Sequence, residues 1–355
     1  MKKYIIIPFC FVSLLNGMIT QQPASTVDDW AARQSLFESC LNSILMRVPD
    51  PTARRYYRNK MIALIEEPIP TAHDWNAQDY AKGNRIQEEV AKKLLREKNI
   101  NLTNKIIFDI GSGTGNISAF MAHQNASWVL GIDPSSNMIN WSKSNYGHIK
   151  NLSFKQCFAE NFFPVAKGDL VTLFYCLHWI KNENKKLVLQ KCYDCLQPCG
   201  ELIGNIRTVE DGLPASLKIL QKILPQLKTI APTLSTDILQ SSGSGSSYLT
   251  HAQLNTILKE IGFTQISLET KSLNFTFKDI DALSAFERPV MMNRPFMQSL
   301  DPDTREEIFK LYVHELFNTL KYVEDKYDDE DDYYIAPEAL TTVIHCFKKS
   351  TTSKL

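Results

Sequence analysis

The residues best suited to chemistry lie in one turn, Asp109-Ile110-Gly111-Ser112-Gly113-Thr114-Gly115-Asn116. Glycines at alternate positions let a chain bend sharply and bring backbone N–H groups close to a ligand. The apolar run 105–110 ahead of the turn reads as a strand, and residues 117–124 behind it read as a helix. A turn from strand into helix lies at the carboxyl edge of a parallel sheet, where open α/β sheets bind ligands. The glycines run G-x-G-x-G, and Asn116 stands where a dinucleotide site would place its third glycine. Gly115-Asn116-Ile117 also lacks the Gly-Lys-Ser/Thr ending of a phosphate loop. The turn therefore predicts a ligand site that fits neither phosphate pattern.

Asp133 closes the next strand, residues 128–132. An acidic residue about 20 positions beyond such a turn can take both ribose hydroxyls of a nucleoside. The competing reading is a helix N-cap ahead of Ser135-Ser136-Asn137-Met138. A nucleoside site without a diphosphate pattern suits S-adenosyl-L-methionine. His178, followed by Trp179, comes just after a fourth strand and is the one candidate for a catalytic side chain, as a base or as a group orienting a substrate oxygen. It can equally be a histidine next to a packing tryptophan. Cys192, Cys195 and Cys199 cluster, but no fourth ligand follows at zinc spacing, so no metal site is expected.

The elements around these residues alternate. Strands are expected at 105–110, 128–132, 152–157, 169–174, 200–206, 265–271 and 340–347, with helices at 84–97, 117–124, 137–145, 182–196 and 250–261. That rhythm predicts an α/β fold, a parallel sheet with helices on both faces. Two helical insertions, about 209–245 and 279–335, interrupt it. The run 241–247 is Ser/Gly-rich, and 328–332 is acidic and reads as a solvated loop.

At this point the chain resembles class I S-adenosylmethionine-dependent methyltransferases. Phe108-Asp-Ile-Gly-Ser-Gly-Thr-Gly115 looks like their first motif and Gly131-Ile-Asp-Pro-Ser-Ser-Asn-Met138 like their second. Trp75-Asn-x-x-x-Tyr80-x-x-x-Asn84-x-x-Gln87 is similar to the lid segment of small-molecule enzymes of the trans-aconitate and juvenile-hormone-acid type, and Phe174-Tyr-Cys-Leu-His-Trp179 to their fourth-strand motif. The resemblance covers roughly residues 75–349. It implies a Rossmann-like, seven-stranded, mostly parallel sheet with an antiparallel last strand and helical lid insertions. It also implies that Asp109, Gly111, Ser112, Gly113 and Gly115 pack by the methionine part of the cofactor. Asp133 would hold the ribose, with Pro134 and Met138 beside it, and Ala159 and Glu160 would lie by the adenine. Phe174, Tyr80 and Gln87 would close around the site. Two positions depart from the pattern. Phe158 stands where an Asp commonly accepts from the adenine amine, and Pro198-Cys199-Gly200 replaces a Pro-Gly-Gly turn.

Composition narrows the acceptor. Lys+Arg and Asp+Glu both count 39, so the formal charge is zero, which argues against a polyanion binder. A small-molecule acceptor is expected, a carboxylate by the resemblance, with no nucleic acid. Arg207, Arg288 and Arg294 are candidate cations for it, and each can equally be an ordinary surface charge. A non-catalytic cofactor-binding module and a methyltransferase acting on a macromolecule are the alternatives; Asn116 argues against a nicotinamide enzyme.

Before this domain, residues 25–72 carry helical patterning and form an N-terminal extension. Lys2 and Lys3 precede an apolar run, residues 4–15, shorter than the roughly 20 residues that span a bilayer. Residues 1–24 read as a signal peptide or a membrane tether making contact through 4–15, or as a buried segment, since Pro8 interrupts the run and no small-x-small cleavage triplet follows. Because the cofactor is cytosolic, the segment is a tether facing the cytosol, or the enzyme is cytoplasmic and the segment no signal, or the protein works where a host cytosol supplies the cofactor. Residues 350–355 are a tail.

Overall fold

The computed structural model describes residues 75–350 apart from 163, 165, 213–214, 235–247, 274, 324–332 and 336–338. Expectations for residues 1–24, 25–72, the Ser/Gly run, the acidic run and the last five residues fall outside the described residues.

Helices α1 (Ala77–Gly83) and α2 (Arg85–Glu97) precede β1 (Ile106–Ile110), α3 (Asn116–His123), β2 (Trp128–Asp133), α4 (Ser136–Tyr146), β3 (Leu152–Gln156) and β4 (Gly168–Phe174). Then come α5 (Asn182–Cys195), β5 (Leu196–Ile206), α6 (Ala215–Ile230), α7 (His251–Ile261), β6 (Phe263–Leu273) and β7 (Thr276–Phe277). The chain continues through α8 (Ile280–Met292), α9 (Pro295–Gln298), α10 (Pro302–Phe317), β8 (Lys321–Val323), β9 (Tyr333–Ile335) and β10 (Ala339–Lys348).

Seven strands form one sheet in the order β3-β2-β1-β4-β5-β10-β6. β1 through β5 pair in parallel, and β10 runs antiparallel to both β5 and β6. Alternate residues face opposite sides of a strand. Phe108, Leu130, Val171 and Leu202 enter one core, and Ile107, Val129, Leu170 and Ile203 enter the other. Burial on both faces explains why these strands are continuous apolar runs rather than alternating ones. The strand order reverses between β1 and β4, so their carboxyl ends open a crevice there. The glycine turn and the Tyr175–Trp179 segment leave the sheet at that point.

A third core lies outside the sheet. Leu220, Ile223 and Leu227 of α6 pack with Leu283 and Met291 of α8 and with Ile308, Tyr312 and Val313 of α10. The region between β6 and β10, expected to be mostly helical through 279–335, also holds β8 and β9, which form a small sheet with β7 in the order β7-β9-β8. These strands are two or three residues long, too short for a hydrophobic period to register in the sequence. Gly83 binds α1 to this unit, since a Cβ there would come within 2.6 Å of the Phe286 Cα. The lid segment and the inserted helices therefore pack as one body.

Candidate active site

The turn after β1 is built on three left-handed glycines, Gly111 (φ 74°), Gly113 (φ 53°) and Gly115 (φ 86°). They have different neighbours. A Cβ on Gly111 would sit 2.5 Å from Cys176 Sγ, and one on Gly115 would sit 2.7 Å from the Phe154 ring. Those two are glycines because protein lies against them. A Cβ on Gly113 would meet only Tyr80 Cε1, at 3.7 Å. Gly113 thus presents a bare backbone edge to the space under Tyr80. Ser112, between them, is buried, and its hydroxyl has no hydrogen-bond partner among the described residues.

Asp109 braces the turn from below. Its carboxylate accepts from Ser118 Oγ of α3 at 2.5 Å and from Thr172 Oγ1 of β4 at 2.7 Å, and burial pushes its pKa up. Its two oxygens thus tie the end of β1 to α3 and β4 beneath the turn.

Asp133 ends β2 facing that turn. Its Oδ2 accepts from Gly113 N–H at 3.0 Å and its Oδ1 from Ser135 N–H at 2.9 Å. Capping of α4 falls to another residue: Ser135 is the N-cap, accepting from Met138 N–H at 3.2 Å. Asp133 is therefore not that cap. Pro134 receives a hydrogen bond from Gln156 through its carbonyl, and Met138 is buried.

The segment 75–88 lies over this surface. The Tyr80 hydroxyl donates to Gln87 Oε1 at 2.6 Å, and burial, followed by the Asp133 charge, pushes the Tyr80 phenol up. Trp75 stands edge-on to Tyr80 at 5.8 Å and to Trp179 at 5.2 Å, and Trp179 lies 5.7 Å from the His178 ring. An aromatic chain thus spans from the lid to the fourth-strand motif. A polar cluster fixes the other side of the lid. Asn84 Nδ2 donates to Thr114 Oγ1 at 2.5 Å, and Asn116 Nδ2 donates to Glu88 Oε2 at 3.1 Å and to Asn84 Oδ1 at 3.3 Å. Asn116, the position that departs from the dinucleotide pattern, anchors the lid to the turn. Sequence reasoning missed this role, although a polar residue opening α3 was visible.

Just past β4, Tyr175 adopts φ 55°, which a bulky side chain seldom does. Its N–H donates to Asn205 Oδ1 at 3.0 Å, and Asn205 Nδ2 reaches Thr341 Oγ1 at 3.3 Å. Asn205, buried near the end of β5, therefore sets the bend that presents Phe174, Cys176 and His178. A lone asparagine in an apolar strand was the available signal. Phe174 itself is buried at the strand end.

The electrostatic surroundings change sign across this bend. Burial first, then the carboxylates of Asp133, Glu160 and Asp109 together with the neighbouring Cys192, push the Cys176 thiol well up. At His178 burial and then two cations, Arg207 and Lys185, push the imidazole down to about 3. A conjugate acid that strong leaves His178 neutral at physiological pH and a poor general base. It can still orient a ligand through hydrogen bonds.

Ala159 and Glu160 form a single 3-10 turn after β3, where Glu160 accepts from Asn184 at 3.2 Å. Phe158 caps it without a side-chain hydrogen bond. The three candidate arginines separate. Arg288 pairs with Glu306 and lies over the Phe309 ring. Arg294 is buried and donates to Ser216 Oγ at 3.3 Å. Arg207 follows β5 at the sheet edge. Cys192 and Cys195 are buried, whereas Cys199 is exposed. A cleft of about 370 Å³ lies between the start of α1 and the lid helices, lined by Asn76, Asp79, Arg288, Arg305 and Glu306 among others.

Comparison with known proteins places this geometry. Residues 107–200, from β1 into β5, match the family described as a methyltransferase domain. A putative methyltransferase, 235L, of Invertebrate iridescent virus 6 is 27% identical over 70% of this chain and 86% of its own length. The juvenile hormone acid O-methyltransferase of Drosophila melanogaster is 23% identical over 74% of this chain and 88% of its own. Among solved structures, Haemonchus contortus phosphoethanolamine N-methyltransferase 2, in complex with S-adenosyl-L-methionine, is similar at a TM-score of 0.46 and 17% identity over 77% of this chain and 57% of that one. The seven-stranded sheet, the glycine turn and the matched domain define the class. The chain is an S-adenosylmethionine-dependent methyltransferase.

Proposed function

We propose that this enzyme methylates a small, enclosed acceptor bearing a carboxylate. The observation that carries the reading is the cover over the turn: Tyr80 lies over Gly113, Trp75 stands edge-on to both Tyr80 and Trp179, and α1 is bolted to the inserted helices at Gly83. Such a cover admits a small molecule and excludes water; it does not suit a folded protein surface or a duplex. The Drosophila relative, whose name describes methylation of an acid oxygen, supports the carboxylate.

The residues present suit the cofactor. Asp133 offers a carboxylate already oriented by two N–H groups, fit for ribose hydroxyls. Gly111, Ser112, Gly113 and Gly115 form the backbone cradle, with the buried Ser112 hydroxyl available to a ligand. Pro134 and Met138 flank the ribose side, Ala159 and Glu160 the adenine side, and Phe174 the floor. Tyr80 and Gln87 close from above. When bound, S-adenosyl-L-methionine supplies an electrophilic methyl carbon on a sulfonium, so a carboxylate acceptor, ionised near pH 7, needs no proton removed. Neutral His178 then orients the acceptor rather than deprotonating it. Holding the acceptor in line and keeping water out are the main demands on the protein.

The test is transfer of radiolabelled methyl to a panel of small carboxylic acids, with RNA and protein in parallel. Label in a small ester is expected. Label only in RNA or protein would favour a macromolecular acceptor, and tight cofactor binding with no transfer to any class would favour a non-catalytic module.

A further inference from the structure

Arg207 follows β5 at the carboxyl ends of the strands, and among the described residues its charge has no counter-ion. Asn205, two residues earlier, is in register with Phe174 and holds the Tyr175 bend. Its guanidinium donates to two main-chain carbonyls, of Gly212 at 3.2 Å and of Asp211 at 3.4 Å. Its Nε is buried without a hydrogen-bond partner, and among the described residues it makes no ion pair. The Asp211 carboxylate in the same turn serves other partners, accepting from Thr208 N–H at 2.6 Å and from Thr342 Oγ1 at 3.0 Å. A partly buried guanidinium supported only by carbonyl dipoles is costly unless an anion joins it.

The groups around it point the same way. Arg207 acts on His178 together with Lys185, and on Tyr248 together with Arg294. Three of the charges there, Arg207, Lys185 and Arg294, are positive, and the one carboxylate beside Tyr248, Asp211, is held by Thr208 and Thr342. On the other side of the same bend, Cys176 faces Asp133, Glu160 and Asp109. The charges around Cys176 are thus negative and those around His178 positive.

We propose that Arg207 recruits the anionic group of the acceptor, a carboxylate or a phosphate monoester, beside His178 and so determines which small molecules are methylated. This rests on the methyl-transfer reading above. A planar fork of donors suits either anion, which can be the nucleophile itself or a handle remote from it.

The test follows the His178 ring signal by nuclear magnetic resonance in the full chain saturated with S-adenosylhomocysteine, assigned with His178→Gln. Acetate, inorganic phosphate and neutral acetamide are titrated at constant ionic strength. At least one anion should shift the signal saturably while acetamide does not; a stronger response to acetate points to a carboxylate, and to phosphate a phosphate monoester. In Arg207→Gln the dissociation constant for that anion should rise about tenfold or more, with Arg207→Lys between the two. Calorimetry should find S-adenosylhomocysteine affinity unchanged in both variants, which also shows that they fold. Silence toward both anions, an equal response to acetamide, or wild-type titration in Arg207→Gln would overturn the proposal. Failure of the wild type to bind S-adenosylhomocysteine would instead strike at the methyl-transfer reading, and the anion titration can still be made on the protein alone.

Discussion

Gly113 N–H donates to the Oδ2 of Asp133 at 3.0 Å, joining two residues 20 positions apart in the chain. The bond crosses from the turn after β1 to the end of β2, so the site's acid and its bare backbone edge are held in one orientation before any ligand arrives. Such preorganisation lowers the ordering cost of binding.

Asp133→Ala should therefore act on the ligand and on the turn together. A charge-assisted contact to ribose hydroxyls is worth roughly 1.5–3 kcal/mol, so S-adenosylhomocysteine affinity should fall about tenfold or more. Isothermal titration calorimetry measures it. Unchanged affinity would remove Asp133 from the cofactor site.

Alanine at the two glycines should separate stability from binding. Gly111→Ala drives a methyl group into Cys176 and should cost several kcal/mol, on the order of other overpacked or strained sites. Gly113→Ala meets only Tyr80 at an ordinary contact distance, so its cost should be near the 1–2 kcal/mol of a left-handed alanine. Cofactor binding should nonetheless be lost in the Gly113 variant, because the added methyl occupies the bare edge. Urea unfolding and calorimetry on both variants give the comparison.

His178 makes acid destabilising. Its folded pKa, about 3, lies below its unfolded value near 6.5, so the unfolded chain binds the extra proton between those limits. Stability is complete above about pH 6.5 and falls as pH drops toward 3. At pH 5 the loss from this group is about 2 kcal/mol. Urea unfolding of the wild type and His178→Gln at pH 7.5 and 5 should show a smaller acid loss in the variant. Parallel losses would mean that His178 is not the buried neutral group described.

The Asn84–Thr114–Asn116 cluster should govern lid opening. Asn116→Ala removes donors to Asn84 and Glu88 and should cost roughly 1–2 kcal/mol, felt mostly by the lid. Hydrogen exchange in Ala77–Gly83 should quicken while β1 and β4 keep their protection. Equal protection of α1 in both proteins would show that the aromatic chain alone holds the lid.

Much of this was legible in the sequence because it rests on short-range requirements. A strand buried on both faces must be apolar throughout, and a turn that brings backbone to a ligand must be glycine-rich; both rules appear in consecutive residues. The spacing to Asp133 is legible too, since one helix and one strand intervene and their lengths vary little. The departure at Cys199 was legible as a departure, and the structure supplies its meaning: Cys199 sits at φ 62°, where glycine would be unstrained.

The remainder depended on which surfaces meet in space. Nothing local to Asn116 announces Asn84, 32 residues earlier, as its partner. Asn205 reads as a stray polar residue until β5 lies beside β4 and β10, where Tyr175 and Thr341 take up its amide. Arg207, Arg288 and Arg294 look alike in the chain. Only the fold gives Arg288 a carboxylate, buries Arg294 beside Ser216 and sets Arg207 against two main-chain carbonyls after β5. The sequence determined the sheet, the turn and the acid beside it through local stereochemistry and periodic burial. The tertiary structure alone decided the lid anchor, the bend at Tyr175 and the setting of Arg207, because each is a contact between segments whose separation only packing can close.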